Sequence, residues 1–535
     1  MGVTSILRLG AGWTRFLQVD ELQLLHLSWL RGDGSQPAVD HFVPQFSLLV
    51  DELELMWRVV GSNFEGVWVA RTQMWLVSLA ILWVTFKLAR RLFGRDAAIG
   101  AVVALSLFTT FNDRALDVRS DGFIALSWLL AFLWLAPGGK KRPVLAGLAF
   151  AIGFAFNFKA VAVLPFIGLM ALAPDEDDVA WVRGALKRGT LLAAGIVAGL
   201  GAYLLFLAVR GDVGLYFDTL KLNFSVSTGE FEAPLWKYLK QSLGRNIPFY
   251  LLFFEGLMLA ALGAWNARKW TALLWLIPIV HSLVFLKVNP TFYPYNFVNI
   301  APFWALLVGL AVSHWLSRPG VLVLGLTMLA MLPLYRQVFL LEPTIGGQYD
   351  VNEFASTVTQ PEDHVYDASG MILFRRGPFN WRMHSATRPW YNRGWYRVAD
   401  QLAEHPPRLV LYGYRTGWLT KPDRLFLRTH YPTAGGIGIS GWKASPAALA
   451  RGPVSAELLL PGRYRIVTSP RGKELEFAID GVAYTEPLEL ARGAHQVAWK
   501  GAGPAPKLMI YWAPPGMEEA LTQMGRPEVW YSFHY

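Results

Sequence analysis

Apolar runs dominate the first two-thirds of the chain. They fall at roughly 68–88, 97–111, 122–136, 144–158, 160–173, 190–209, 247–265, 271–286, 297–316 and 320–340. Crossing a bilayer core takes about 20 helical residues. The pattern therefore predicts about ten membrane helices, with the shorter runs beginning in protein-lined cavities. Residues 1–19 hold Arg8 and Arg15 with no long apolar stretch between them. They read neither as a cleaved signal peptide nor as a strong span, and predict a marginal first helix or the remainder of one that starts upstream.

The polar segments between the runs sort into two sets. One carries Arg90, Arg91 and Arg95; Lys140, Lys141 and Arg142; Arg183, Lys187 and Arg188; Arg268 and Lys269; and Arg318. It occupies every second loop, and short loops rich in Lys and Arg stay in the cytoplasm. The acidic run Asp175–Asp178 falls on the same side and reads as a solvated loop. The other set faces outward: 20–66, 112–121, 157–160, 210–246, 287–296 and everything after about 341.

Beyond 341 the period changes. A polar helical stretch (Val351–Thr359) and short apolar runs such as Arg408–Tyr412 predict a small α/β region over 341–445. From 446 to 535 the segments SAELLL, YRIVTS, LEFAID, EPLEL, HQVAW and KLMIYW read as strands, separated by Pro461-Gly462, Asp480-Gly481 and Arg492-Gly493. Short strands at that spacing predict a β-sandwich and a candidate carbohydrate-binding domain. The expected whole is an α-helical polytopic membrane protein over 1–340, followed by a soluble α/β region and a β-sandwich.

Composition agrees with this reading: 53% of the 535 residues are hydrophobic and only 16% charged. The net charge of +10 would suggest nucleic acid in a soluble protein, but here it sits in the short loops and reports orientation instead. No nucleic-acid partner is expected. The absence of cysteine excludes disulfides and Cys-based metal sites.

Four groups of outward residues could carry chemistry. Asp20-Glu21 stands where the chain enters the first outer loop; a carboxylate there could accept a proton from an attacking hydroxyl, or simply be a solvated helix-end pair. Asp40-His41 offers a second acid that could position a hydroxyl or ligate a divalent ion, with His41 more often an interfacial hydrogen-bonder than a ligand, as no other His lies at metal spacing nearby. In Asp117-Val118-Arg119-Ser120-Asp121 the spacing of four puts both carboxylates on one face of a helix, facing a cation, a sugar hydroxyl or an arginine; the alternative is a structural ion pair. Arg71, Arg119, Lys159 and Lys287 are outward cations near the bilayer. Lys159 interrupts AIGFAFNFKAVAVLPF, where an ammonium costs roughly 2.5–3.5 kcal/mol on insertion scales. A lipid phosphate would offset that cost; snorkelling to the interface is the plainer reading. Tyr293 and Tyr295 could stack on sugar rings or anchor the interface.

In this order and sidedness, four stretches besides the Asp20-Glu21 pair resemble the GT-C superfamily, polytopic glycosyltransferases that use polyprenyl-phosphate-linked sugars. They are VWVARTQMWLVSLAILWVTFKLARRLFGRDAA, DVRSDGFIALSWLLAFLWL, FAFNFKAVAVLPF and YPYNFVNIAPFWALL. The likeness covers roughly 15–315 and is greatest to the lipid A aminoarabinose transferase and protein O-mannosyltransferase branch. It implies a bacterial inner-membrane enzyme that transfers sugar from a polyprenyl-phosphate donor to a glycan or lipid acceptor on the periplasmic face, by one inverting displacement. It also implies Asp20 as base, Asp40 as supporting acid, Arg119 and Lys159 toward phosphate, and Asp121 toward sugar or ion. Glu21, His41, Arg71, Asp117, Lys287, Tyr293 and Tyr295 complete the expected substrate-binding set. One branch of the family uses a divalent metal, so magnesium or manganese stays open as cofactor. The family's His-Pro-Pro after the second acid is here Val43-Pro44-Gln45.

Two other classes compete. A transporter or flippase for lipid-linked glycans should show related halves and ionisable residues near mid-membrane; the acids here collect at one outer face. An inactive homologue would only bind glycan, and Asp20→Asn separates it from an enzyme.

Overall fold

The computed structural model describes residues 9–35, 47–137, 139–173, 181–227, 235–267, 276–288, 293–316, 325, 344–379, 387–434, 436–469 and 474–524. Internal contacts divide the chain into two compact units. One comprises Met1–Arg15, Gln45–Met56 and Glu65–Pro343; the other comprises Phe16–Pro44, Trp57–Phe64 and Thr344–Tyr535.

The first unit is helical. Among the described residues, three helices are long and apolar enough to cross a membrane alone: Glu65–Phe93, Trp181–Arg210 and Pro294–Trp315. A fourth candidate is the pair Leu235–Arg245 and Ile247–Gly263, bent by 101°. Asp121–Leu135, Pro143–Phe156, Phe158–Leu172 and Ile277–Lys287 are shorter apolar helices. Ten full spans are thus not what the described residues form. The physical reason is visible in the breaks. The 97–111 run divides at Phe108, whose extended backbone separates Arg95–Leu107 from Thr109–Arg114. The run 320–340 lies outside the described residues apart from residue 325.

Close helix contact explains the glycines of this unit. Pro143–Phe156 packs along Trp181–Arg210. A Cβ at Gly147 would collide with the Leu192 carbonyl, and one at Gly195 with the Val144 carbonyl. Without a hydrophobic drive between helices in lipid, such small-residue seams let backbones approach. Phe297–Trp315 is buried along most of its length against Arg95–Leu107 and Ile247–Ala267.

The predicted basic loops are tied to helix ends. Arg91 donates to the carbonyls of Leu133, Ala136 and Pro137. Lys141 donates to Ala173, and Arg188 to Ala171 and Ala173. Cations there satisfy last-turn carbonyls and complement the negative helix end. Arg91 therefore marks one end of Asp121–Leu135, and Asp121 the other.

The second unit holds the C-terminal sheets. Strands β1 (Val365–Asp367), β2 (Leu409–Leu411), β3 (Thr433–Ala434) and β4 (Ile437–Ile439) form one sheet in the order β1-β2-β4-β3, with β1 parallel to β2. Helices Gly346–Val358, Val398–Glu404 and Lys421–His430 accompany it, as the α/β pattern predicts. Two antiparallel sheets follow. One is built from β5 (Gly441–Ala444), β7 (Gly462–Ser469), β10 (Leu488–Leu490) and β12 (Lys507–Trp512), in the order β10-β7-β12-β5. The other uses β6 (Val454–Leu458), β8 (Phe477–Ile479), β9 (Val482–Ala483) and β11 (Gly493–Trp499), in the order β6-β11-β8-β9. The six predicted strands are present. Asp480-Gly481 makes the two-residue hairpin between β8 and β9, with φ of 51° and 82°; both turn positions need the left-handed region. β5 was not predicted, because its Gly-Trp-Lys-Ala run gives no alternation; it is recruited by pairing with β12.

The second unit also takes in early segments of the chain. The amide of Leu17 donates to Gln348 Oε1 at 2.6 Å, and Gln348 Nε2 donates back to the Leu17 carbonyl at 2.9 Å. Phe374 lies edge-on to both Trp29 and Trp57. Arg376 grips Asp33 with Nε at 2.9 Å and Nη2 at 2.7 Å.

Candidate functional site

In the first unit, chemistry gathers at the end of Asp121–Leu135 opposite Arg91. The helix begins at Asp121, directly after an irregular turn. Helix Pro143–Phe156 stops at Asn157, whose extended backbone opens a 3-10 turn over Phe158–Val163. Asn157 Oδ1 accepts from the Lys159 amide at 3.0 Å and its Nδ2 donates to Ser120 Oγ at 3.2 Å. The break predicted from the lysine-bearing run is real, and it aims Lys159 at the start of its neighbour.

Three distant segments meet there. Arg119 Nε donates to Asp121 Oδ2 at 3.1 Å, Asn299 Nδ2 donates to Oδ1 at 3.1 Å, and Lys159 Nζ stands 3.8 Å from Oδ1. Lys159 also donates to Asn296 Oδ1 at 3.3 Å. Beneath the cations lies Tyr295, with the Arg119 guanidinium 3.6 Å from the ring centroid and Lys159 Nζ at 5.0 Å. Tyr293 stacks on Tyr295 at 5.6 Å and meets Tyr238 at 5.7 Å. Two cations thus converge on one carboxylate. Arginine and lysine are the side chains that hold phosphate groups.

Asp117 is not part of this cluster. The one-face expectation fails because residues 115–120 are turn and bend rather than helix, so a spacing of four no longer aligns side chains. Asp117 instead pairs with Arg15, and with Arg114 at 3.5 Å. Arg71 is held by another segment of the same unit. It is buried, and it donates to the backbone carbonyls of Gly12 and Arg15. It fixes the segment that carries Arg15. Lys287 is exposed on the last turn of Ile277–Val288 and takes no part in the contacts around Asp121. The Tyr295 face expected for a sugar is covered by Arg119.

Asp20 and Glu21 open the helix Val19–Gly32 of the second unit. Glu21 is buried and accepts from the Gln18 amide at 3.2 Å, the reciprocal half of a capping box. Asp20 is half-buried and acts electrostatically on Tyr414. Asp40 and His41 lie outside the described residues.

Sequence reasoning missed Asn296 and Asn299. The signal was present in YPYNFVNIAPF, where two asparagines three apart begin an otherwise apolar helix. They also missed Arg15, which stood in a segment too polar to read as a span.

The residues at Asp121 do not fit a divalent cation. Two of its neighbours are themselves cations, and among the described residues no three His, Asp or Glu side chains gather as a metal site.

An apolar groove lies in the same unit, between Arg95–Leu107, Ile247–Ala267 and Phe297–Trp315. Val103, Leu107, Phe249, Leu252 and Val312 line it, and Arg245 is its cation. Arg245 Nη1 stands 3.7 Å from Asp113.

Residues 53–199 match the family model of dolichyl-phosphate-mannose-protein mannosyltransferases. Comparison with the curated proteins finds no match. Among solved structures, the chain is similar to ArnT from Cupriavidus metallidurans bound to undecaprenyl phosphate: TM-score 0.58, 15% identity, covering 83% of this chain and 95% of that one. The apo state of that protein gives TM-score 0.57 at 14% identity, covering 80% and 93%. The apo oligosaccharyltransferase of Archaeoglobus fulgidus gives 0.51 at 11% identity, covering 83% and 74%. At such identities the likeness establishes the fold.

Proposed function

From a membrane protein with the GT-C fold, we propose a glycosyltransferase that moves a sugar from a polyprenyl-phosphate carrier to an acceptor hydroxyl at the extracytoplasmic face. ArnT holds undecaprenyl phosphate in its solved complex, which makes a lipid phosphate the natural ligand for this chain's cation cluster. The observation that carries the reading is the convergence of Arg119 and Lys159 on the single carboxylate of Asp121.

The chemistry follows from the charges. A carboxylate of Asp20 takes the proton of the acceptor hydroxyl. The freed oxygen attacks the anomeric carbon, the bond from that carbon to the phosphate oxygen breaks, and the electron pair leaves with polyprenyl phosphate. Negative charge grows on that phosphate, and Arg119 and Lys159 stabilise it more in the transition state than in the ground state. Asn296 and Asn299 keep Lys159 and Asp121 in place before substrate arrives. The apolar groove with Arg245 suits part of the polyprenyl tail. Asp40, with its supporting role, belongs to the same proposal.

Incubating the purified full chain with a panel of polyprenyl-phosphate sugars and envelope glycan or lipid acceptors tests the reading. Multiple turnovers with inverted anomeric configuration are expected. Retained configuration would remove the single displacement, and no transfer with any donor would remove the enzyme.

A further inference from the structure

The bend of 101° between Leu235–Arg245 and Ile247–Gly263 separates two helices of different character. Along Ile247–Ala267 the side chains of Ile247, Leu251, Phe254, Met258 and Leu262 are exposed. They recur every three or four residues and so form one stripe, the face of this helix that lipid covers. Leu235–Arg245 differs. Its sequence LWKYLKQSLGR exposes Lys237, Lys240 and Gln241 together with Trp236 and Leu243. Charged side chains at that density do not sit in the hydrocarbon centre.

The corner is fixed from within the unit. Asn246 accepts from the Thr109 amide at 2.8 Å and donates to the Ser242 carbonyl at 2.9 Å. Ser242 Oγ meets Thr110 Oγ1 at 3.0 Å and accepts from the Tyr250 hydroxyl at 2.9 Å. Tyr238 and Ser242, four apart and both buried, therefore face the protein. The rest of the circumference divides in two. Trp236 and Leu243, seven apart, share one exposed side, while Lys237, Lys240 and Gly244 share another. With Ile247–Ala267 crossing the bilayer, a bend near a right angle lays Leu235–Arg245 along its surface. A helix in that plane sinks its apolar side to the acyl boundary and keeps its cations among the headgroups. Tryptophan favours the same depth.

We propose that Leu235–Arg245 is an interfacial helix that docks on anionic phospholipid of the surrounding leaflet, with Trp236 and Leu243 in the acyl boundary and Lys237 and Lys240 on headgroup phosphates. Charge complementarity selects this occupant, since two lysines flank the apolar side and attract a negative surface. Arg245 and Asn246 also line the apolar groove, so docking sets that end of the groove at headgroup depth. The surface does not depend on the glycosyltransferase reading.

The chain has no cysteine, so single cysteines can be labelled in the full-length protein. In nanodiscs, spin labels on Trp236→Cys and Leu243→Cys should collide with oxygen more than with a water-soluble nickel chelate, and a label on Gln241→Cys should do the reverse. Gly244→Cys takes a bimane fluorophore for a second measurement, because the space a Cβ would enter there is open. These nanodiscs hold phosphatidylcholine and phosphatidylglycerol in equal parts, with a shallow doxyl quencher on one or the other. Quenching should report phosphatidylglycerol enriched about fivefold near the label, the equivalent of one lysine's attraction to an anionic surface. Lys237→Gln with Lys240→Gln should abolish the enrichment, and Lys237→Arg with Lys240→Arg should keep it. Labels at 236 and 243 that favour the nickel chelate overturn the interfacial placement. Equal quenching by the two lipids, or enrichment unchanged by the glutamine pair, overturns the anionic partner. Enrichment lost on adding stoichiometric undecaprenyl phosphate assigns the lysines to that lipid and overturns the docking surface as well. None of these outcomes bears on transfer, which is read separately by turnover.

Discussion

At the scale of single residues, the molecule separates two carboxylates that the sequence sets four apart. Asp121 gathers Arg119 and Lys159, the cations proposed to face phosphate, while Asp117 braces Arg15 and Arg114. Asp117→Asn is therefore expected to act through stability, and Asp121→Asn through kcat. Lys159→Met removes one of the two cations for a leaving phosphate. A drop in kcat of about 10²–10³ is expected, by analogy with deleting one preorganised oxyanion donor; single-turnover kinetics check it, and a change confined to donor KM would assign Lys159 to ground-state binding. Another residue pair makes a pH prediction. Burial alone would lower His495, but the Ala491 carbonyl and the Asp480 carboxylate outweigh it and raise its pKa; the hydrogen bond from His495, chiefly, lowers that of Asp480. His495 stabilises the fold fully below its unfolded pKa of about 6.5 and loses this as pH rises through its higher folded value. Asp480 contributes above about 3.9 and loses it only as pH falls through its lower folded value. Asp480 is about half exposed, so screening caps the pair at about 1 kcal/mol. Thermal unfolding of wild type against His495→Gln should show a wild-type advantage at pH 5–6 that shrinks towards pH 8. An advantage that grows with pH would reverse the assignment. Lys159 was legible because an ammonium in an apolar run is costly. Asn296 and Asn299 gave a weaker signal and were missed, because a neutral amide at a helix start costs less in an apolar run than an ammonium does.

At the scale of elements, hydropathy located the helices and most of their ends, such as Asp121–Leu135 for the run 122–136, and missed the division of 97–111. The break at Asn157 was marked by the lysine beside it, but apolar residues continue through Phe108, where backbone geometry, which hydropathy does not record, ends the helix. The β region was read more fully. Its strands alternate, and its hairpin turn carries the Asp-Gly that a positive φ favours. The helix seam makes a sharper demand. Gly195→Leu is expected to separate Trp181–Arg210 from Pro143–Phe156, because the added Cβ meets the Val144 backbone rather than a mobile side-chain end. Overpacking of this kind costs about 1–3 kcal/mol or more. Gly201→Leu serves as the control, having nothing near its missing Cβ. The unfolding temperature in detergent should fall for the first and not for the second; equal behaviour would mean the seam is loose.

At the scale of the molecule, the chain's compact units do not follow its sequence order. A boundary near 340 is where composition changes, yet Phe16–Pro44 and Trp57–Phe64 belong with the C-terminal region. Composition could not show this, because the contacts that do so are few and particular: Gln348 with Leu17, Phe374 with two tryptophans, Arg376 with Asp33. A fragment 344–535 would leave Gln348 and Phe374 uncovered. It is expected to bind hydrophobic dye and melt below the same region in the full chain, and an equally stable fragment would show these contacts to be incidental. The same contacts hold Asp20, since Gln348 fixes the backbone three residues before it. The most direct test of the whole account is the mass-spectrometric yield of free polyprenyl phosphate from the full chain in nanodiscs, comparing wild type with Asp20→Asn on a donor that the wild type accepts. The expected result is release at least about 100-fold slower in the variant, within the range of general-base losses, with donor still bound. Undiminished release by Asp20→Asn would contradict it.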